Sequence, residues 1–167
     1  RFDALAFGIS ASEASAMDLQ QRLLLELGYV SLHGGSHRRA TLMDSDTGVF
    51  LGVERSHWHW AQPPSARSSA YAVTGDSASV SAGRISFVLG LQGPCSSIDA
   101  ACSSSLVALH AALHALRDAE SVCALALSVS LKLIPHGMIG AASAGMLSTD
   151  GRCKTLDAHA NGYAKAE

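Results

Sequence analysis

The chain has 167 residues, 48% of them hydrophobic and only 16% charged, with a formal net charge of -2. That length suits one core or part of one rather than several modules, and the low charge excludes a disordered chain. Twelve Lys and Arg against fourteen Asp and Glu, with no basic run longer than His37-Arg38-Arg39, leave no electrostatic footprint for nucleic acid.

The longest apolar stretch, near Val122 to Val129, is far shorter than the roughly 18 residues of a membrane span, so no membrane partner is expected. The chain opens on Arg1 without a leader-like segment, and the expectation is that its natural beginning lies upstream. Cys95, Cys102, Cys123 and Cys153 stand at wide spacings without a CxxC pair, which fits neither a zinc knuckle nor a disulfide-dense secreted fold. A reducing, cytoplasmic setting follows as the expectation.

The predicted elements begin at Asp18, whose carboxylate suits a helix N-cap, with Gln21 at the position that closes a capping box. Leu23, Leu24 and Leu27 supply the expected buried stripe, and Gly28 the stop. Gly34 to Asp46 reads as a surface loop, and Gly48 to Val53 as a buried strand. Trp58 to Ser69, with Pro63 and Pro64, reads as a covering loop. From Asp76 a helix is expected to bury Val80, Gly83, Phe87, Val88 and Leu91, ending between Gly90 and Pro94.

A short strand from Cys95 to Ile98 then runs through Asp99-Ala100-Ala101-Cys102 into a helix with Leu106, Leu109, Leu113 and Leu116 on one face. Val122 to Ser130 is a second buried strand. Strands alternating with helices of this length indicate a layered α/β fold.

The turn before the Leu106 helix is where chemistry is expected. A cysteine at a helix N-terminus sits where unpaired amides and the macrodipole favour negative charge, the setting of a thiolate nucleophile. Ala100, Ala101, Ser103, Ser104 and Ser105 are small enough to let a substrate approach. The same cysteine is also readable as an inert buried thiol. His110 and His114, four apart on the same helix, lack a third ligand in pattern, so no metal site is expected there. His33, His37, His57 and His59 read as loop residues at the surface or a pocket rim. Met138, Ile139 and Met146 read as core or as the wall of an apolar pocket. Gly34-Gly35 and Gly137 with Gly140 lack the strand-turn-helix context of a phosphate loop, so no bound cofactor is expected.

The stretch from Gly93 to His110, GPCSSIDAACSSSLVALH, resembles the active-site segment of β-ketoacyl synthases, and most of all the ketosynthase domains of type I modular polyketide synthases. Further blocks resemble that family in its own order: Phe2-Asp3 with Phe7-Gly8-Ile9-Ser10, Met17-Asp18 with Gln20 to Glu26, Gly48 to Gly52, Thr74-Gly75, and Ala82 to Ser86. Ala144 to Ser148, Asp150 to Lys154 and Leu156-Asp157 continue the series.

The resemblance implies a thiolase-like fold, of which this chain is the front half of a layered α/β/α ketosynthase domain, truncated at both ends. It implies an acyltransferase in which Cys102 takes an acyl group from a carrier-protein thioester, its backbone amide donating to the oxyanion. Decarboxylative Claisen condensation with a malonyl-type extender follows, in polyketide or fatty-acid biosynthesis. Phosphopantetheine arrives on the acyl carrier protein, and the full domain is a homodimer joined near the strand that leads to Cys102.

The family's two catalytic histidines lie in His-Gly-Thr-Gly-Thr and Asn-Ile-Gly-His blocks, and neither block occurs in these 167 residues. The segment alone is therefore expected to be inactive. Departures from the family pattern are Leu19 in place of proline, Asn161 in place of aspartate, Ala166 in place of glycine, and the whole of His33 to Arg39. The alternative reading is a non-condensing structural ketosynthase-like module. An unrelated cysteine hydrolase would need a histidine partner in a different arrangement. A decarboxylating loading domain would carry glutamine instead of Cys102.

Overall fold

The computed structural model describes residues 2–165, which form two units that divide between Ser130 and Leu131. Ala166 lies outside the described residues. The first unit opens with a 3-10 turn at Leu5–Phe7, then α1 (Ala11–Ala16), α2 (Leu19–Gly34) and α3 (Arg39–Leu42). Strand β1 (Thr47–Val53) follows, then α4 (Trp58–Ala61), a 3-10 turn at Pro64–Ser68, α5 (Ala72–Gly75), α6 (Ala78–Leu89), β2 (Cys95–Ile98), α7 (Ser104–Arg117) and β3 (Cys123–Val129).

The three strands form one parallel sheet in the order β2-β1-β3. Central β1 is buried along its whole length, because helices cover both faces. Val49, Leu51 and Val53 point to the face shared with Leu24 and Leu25 of α2 and Ile85 and Leu89 of α6. Phe50 points the other way, against Ala108, Ala112 and Ala115 of α7. This period-two alternation makes three layers, helix on sheet on helix.

Helix α2 begins as expected at Asp18, whose Oδ1 accepts from the Gln20 amide at 3.0 Å. The capping box does not form. Gln21 Nε2 instead donates to the carbonyls of Thr74 and Ser77, at 3.0 and 3.2 Å, tying α2 to the segment before α6. Gly28 does not stop the helix but lies inside it, facing Leu125 and Leu127 of β3. The buried face is Gln21, Leu24, Leu25, Gly28 and Leu32, while Leu23 and Leu27 are exposed.

The same correction applies to α6, which buries Ser81, Ala82, Ile85, Ser86 and Leu89 and leaves Phe87 88% exposed. In α7 it is sharper: Ser104, Ala108, Ala112 and Ala115 face the sheet, and Leu106, Leu109, Leu113 and Leu116 are all exposed. Strand β3 is present where expected, but only Leu125 of it is buried.

The expected loop from Gly34 to Asp46 contains α3, which sinks Leu42 completely. The covering segment from Trp58 is folded into α4 and the turn at Pro64–Ser68. Its Trp58 indole N–H donates to the Ala16 carbonyl at 2.9 Å, and the Arg22 guanidinium lies over the ring, 5.3 Å from its centre. It therefore covers the junction of α1 and α2.

Gly83 offers a stability test, since a Cβ built there meets nothing within 4 Å inside α6. Gly83→Ala is expected to stabilise the fold by about 0.5–1 kcal/mol, by removing backbone freedom from the unfolded chain. Thermal or urea unfolding checks it, and a lower midpoint would contradict it.

The second unit carries α8 (His136–Ser143) and a paired return in which the Tyr163 amide donates to the Met146 carbonyl and the Ser148 amide to the Tyr163 carbonyl, both at 3.0 Å. Asn161 is used as an amide: its Oδ1 accepts from Lys154 Nζ at 3.1 Å while its Nδ2 donates to Thr149 Oγ1 at 3.2 Å. Aspartate could not donate in the second bond, and would have to accept from the Thr149 hydroxyl instead. The Ser148 hydroxyl, with Lys154 beside it, holds the exposed Asp150 carboxyl below the usual carboxylate range. Met138, Ile139 and Met146 are part-exposed or exposed, so they form no core within this unit. Among the described residues no helix is long and apolar enough to cross a membrane.

Candidate active site

Because all three strands are parallel, their carboxyl ends meet at one edge of the sheet, the usual place for a ligand crevice in α/β folds. A cavity of about 650 Å³ lies there. Gly52, Glu54 and Arg55 line it from the end of β1, and Ser128, Val129 and Ser130 from the end of β3. Asp99, Ala101, Cys102, Ser104 and Ser105 supply the wall between β2 and α7.

Cys102 is exposed in this cavity rather than buried. It precedes the N-cap Ser103 by one residue, which places it just ahead of the first turn of α7 rather than within it. Three features set the turn. Ala101 adopts φ +52, a left-handed conformation costing a non-glycine residue roughly 1–2 kcal/mol. Asp99 Oδ1 compensates by accepting from the Ala101 amide at 3.0 Å. The Ser103 and Ser104 amides then donate to the Ala100 and Ala101 carbonyls, at 3.2 and 3.1 Å, and lead into the helix.

The helix start reaches the sheet only because β1 has glycine beneath it. A Cβ on Gly52 would come within 2.8 Å of the Ser104 carbonyl carbon and oxygen, and 3.0 Å of the Ser105 nitrogen. At the rim, the Ser130 hydroxyl donates to Glu54 Oε2 at 2.5 Å. Chemically the cavity offers one exposed sulfur with small neighbours, and hydroxyls and charges around it.

The histidines are elsewhere, and none lines the cavity. His110 and His114 stack edge to face on the exposed side of α7, with ring centres 4.4 Å apart. His33 proves to be in the last turn of α2, beside Tyr29, rather than in a loop. His57 and His59 belong to the short α4 and its cap, where His59 Nδ1 is 3.9 Å from Asp76 Oδ2. Among the described residues no three His, Cys, Asp or Glu side chains are grouped to hold a metal ion.

The turn and Cys102 are readable locally, whereas Glu54, Arg55, Ser128 and Ser130 carry no local signal. Their signal lies in position alone, at the carboxyl ends of strands that prove to be parallel.

Comparison with known proteins identifies the family. The sequence matches the family described as Beta-ketoacyl synthase, N-terminal domain over residues 1–167. It is 43% identical over 167 residues to a mycocerosic acid synthase-like polyketide synthase of Mycolicibacterium smegmatis, covering 99% of this chain and 8% of that protein. It is 42% identical over 166 residues to erythronolide synthase EryA3 of Saccharopolyspora erythraea, covering 99% of this chain and 5% of that protein.

Among solved structures, the ketosynthase from module 6 of the bacillaene synthase of Bacillus subtilis 168 superposes with a TM-score of 0.82 at 41% identity, over 98% of this chain and 28% of that one. An oxazolomycin ketosynthase domain of Streptomyces albus JA3453 gives 0.84 at 35% identity, over 98% and 29%. The chain thus spans less than a third of either ketosynthase, with the thiolase-like α/β fold that its sequence blocks implied. It belongs to the β-ketoacyl synthase family, matching the N-terminal domain of that family along its whole length.

Proposed function

We propose that the chain is the N-terminal part of a ketosynthase domain of a polyketide synthase and that Cys102 is its acyl acceptor. The observation that carries this is the exposed Cys102 on a strained strand-to-helix turn at the carboxyl edge of a parallel sheet, in a chain of this family. In the first half-reaction the Cys102 thiolate attacks the carbonyl carbon of an acyl thioester, and the Cys102 backbone amide donates to the oxyanion. The carrier thiolate leaves and takes a proton, and the acyl group stays on Cys102. In the second, a malonyl-type thioester loses carbon dioxide, its carbon attacks the acyl carbonyl, and the Cys102 thiolate leaves.

The acyl donor and the extender both ride on phosphopantetheine arms of acyl carrier proteins, so the domain itself needs no resident cofactor. The homodimer contact is assigned to β2, which among the described residues is an edge strand. The setting is cytoplasmic. Condensation further needs the two histidine blocks that these 167 residues do not contain, so the chain by itself forms no β-ketoacyl product.

The test is to express the parent domain, incubate it with an acyl thioester and map the adduct by peptide mass spectrometry. One acyl group on the peptide containing Cys102 is expected. A folded, dimeric parent that is never acylated would leave a non-condensing structural module, and product from the 167 residues alone would refute the division of labour.

A further inference from the structure

Ser104 is 8% exposed and makes two short side-chain hydrogen bonds within the turn that carries Cys102. Its Oγ accepts from the Ala100 amide at 2.8 Å and donates to the Ala101 carbonyl at 2.7 Å. The second bond matters most, because the Ala101 carbonyl and the Cys102 amide belong to one peptide unit. That unit is planar and trans, so its C=O and N–H point in opposite directions. A hydroxyl that holds the Ala101 carbonyl toward α7 therefore holds the Cys102 N–H away from it.

The neighbouring residues leave this clamp little freedom. Ala101 sits at φ +52, a conformation that alanine leaves readily when its partners are removed. The start of α7 runs close over β1 here, since a Cβ added at Gly52 would come within 2.8 Å of the Ser104 carbonyl. The Ser104 amide holds the same Ala101 carbonyl at 3.1 Å, so hydroxyl and amide act together on the peptide unit that carries the Cys102 N–H, whereas the Ser103 hydroxyl bonds only the Ala100 carbonyl, at 2.7 Å, in the preceding peptide unit.

We infer that Ser104 is a positioning residue for acyl transfer, fixing the peptide plane that aims the Cys102 amide at the thioester oxyanion. This rests on the acyl-acceptor reading of Cys102. It makes a distinction that a merely structural serine would not. Attack on a thioester needs the aimed amide, whereas alkylation by iodoacetamide needs only an accessible thiolate.

The experiment compares the wild-type parent domain with Ser104→Ala, Ser104→Thr and Ser103→Ala. Each is assayed for acylation by an acyl thioester, for iodoacetamide alkylation of Cys102 across pH, and for folded content by circular dichroism. Ser104→Ala is expected to acylate about 10- to 100-fold more slowly, the penalty of a misplaced reacting group. Its alkylation rate and pH profile stay close to wild type, Ser104→Thr recovers acylation, and Ser103→Ala acylates like wild type.

Equal acylation by Ser104→Ala and wild type overturns this inference while leaving the acyl-acceptor reading intact. Acylation and alkylation falling together, in step with lost folded protein, also overturn it, because the serine is then only structural. A wild-type domain that alkylates at Cys102 but never acylates overturns the acyl-acceptor reading and this inference with it.

Discussion

Cys102→Ala in the parent domain is expected to reduce acyl loading by at least about a thousandfold, since losing the nucleophile of a covalent mechanism leaves only its binding contacts. The other three cysteines provide the comparison. Cys95 pairs with Val49 and Cys123 with Thr47, which puts both at or near the amino ends of their strands, away from the cavity. Cys153 lies in the second unit, where its sulfur accepts from the Ala164 amide at 3.2 Å. Alanine at any of these three is expected to leave loading within about twofold, the ordinary range for residues remote from the chemistry. Intact-protein mass spectrometry reads all four variants, and an acyl adduct persisting in Cys102→Ala would refute the assignment.

Gly52→Ala is expected to destabilise the fold by about 1–3 kcal/mol, and Gly52→Val by more, because the added atoms meet backbone instead of a mobile side chain. The 2.8 Å approach to the Ser104 carbonyl group leaves two ways to relax. Either α7 lifts from the sheet, costing the packing of Ala108, Ala112 and Ala115 on Phe50, or β1 bends and costs its pairing with both neighbours. Both responses move the Cys102 turn, so acyl loading falls along with the unfolding temperature. Differential scanning calorimetry with a loading assay checks the pair, and an unchanged melting temperature in Gly52→Ala would show that helix and strand have room to spare at this point. Gly83→Ala is the matched control, a glycine-to-alanine change with open space around it.

The contrast between these glycines shows what the sequence could reveal. Strand β1 was legible because Gly48 to Val53 is apolar, β-rich and marked by glycine, and β2 and the turn after it because the change of pattern around Cys95 to Cys102 is local. The faces of the helices were not legible. A reading by hydrophobic size puts Leu106, Leu109, Leu113 and Leu116 inward, but α7 lies so close to β1 that only Ser104, Ala108, Ala112 and Ala115 fit between them. Close packing selected small residues where periodicity counted large ones. The site divided in the same way. Cys102 and its small neighbours form one continuous turn, whereas Glu54 and Arg55 reach it from a strand whose register with β2 joins residues 46 positions apart. No local pattern encodes that separation.

The central place of β1 also shapes how the chain folds as it is made. Val49 pairs with Cys95 and with Leu125, residues synthesised 46 and 76 positions later. At about 5–20 residues per second, the strand waits roughly 2–9 s for its first partner and 4–15 s for its second. Thr47–Val53, an uncharged and strongly β-forming segment, has both hydrogen-bonding edges open until β2 emerges and one edge open until β3 does. The nascent chain is thus most vulnerable to aggregation between the emergence of β1 and that of β3, and that window is where a ribosome-associated chaperone has the most to protect.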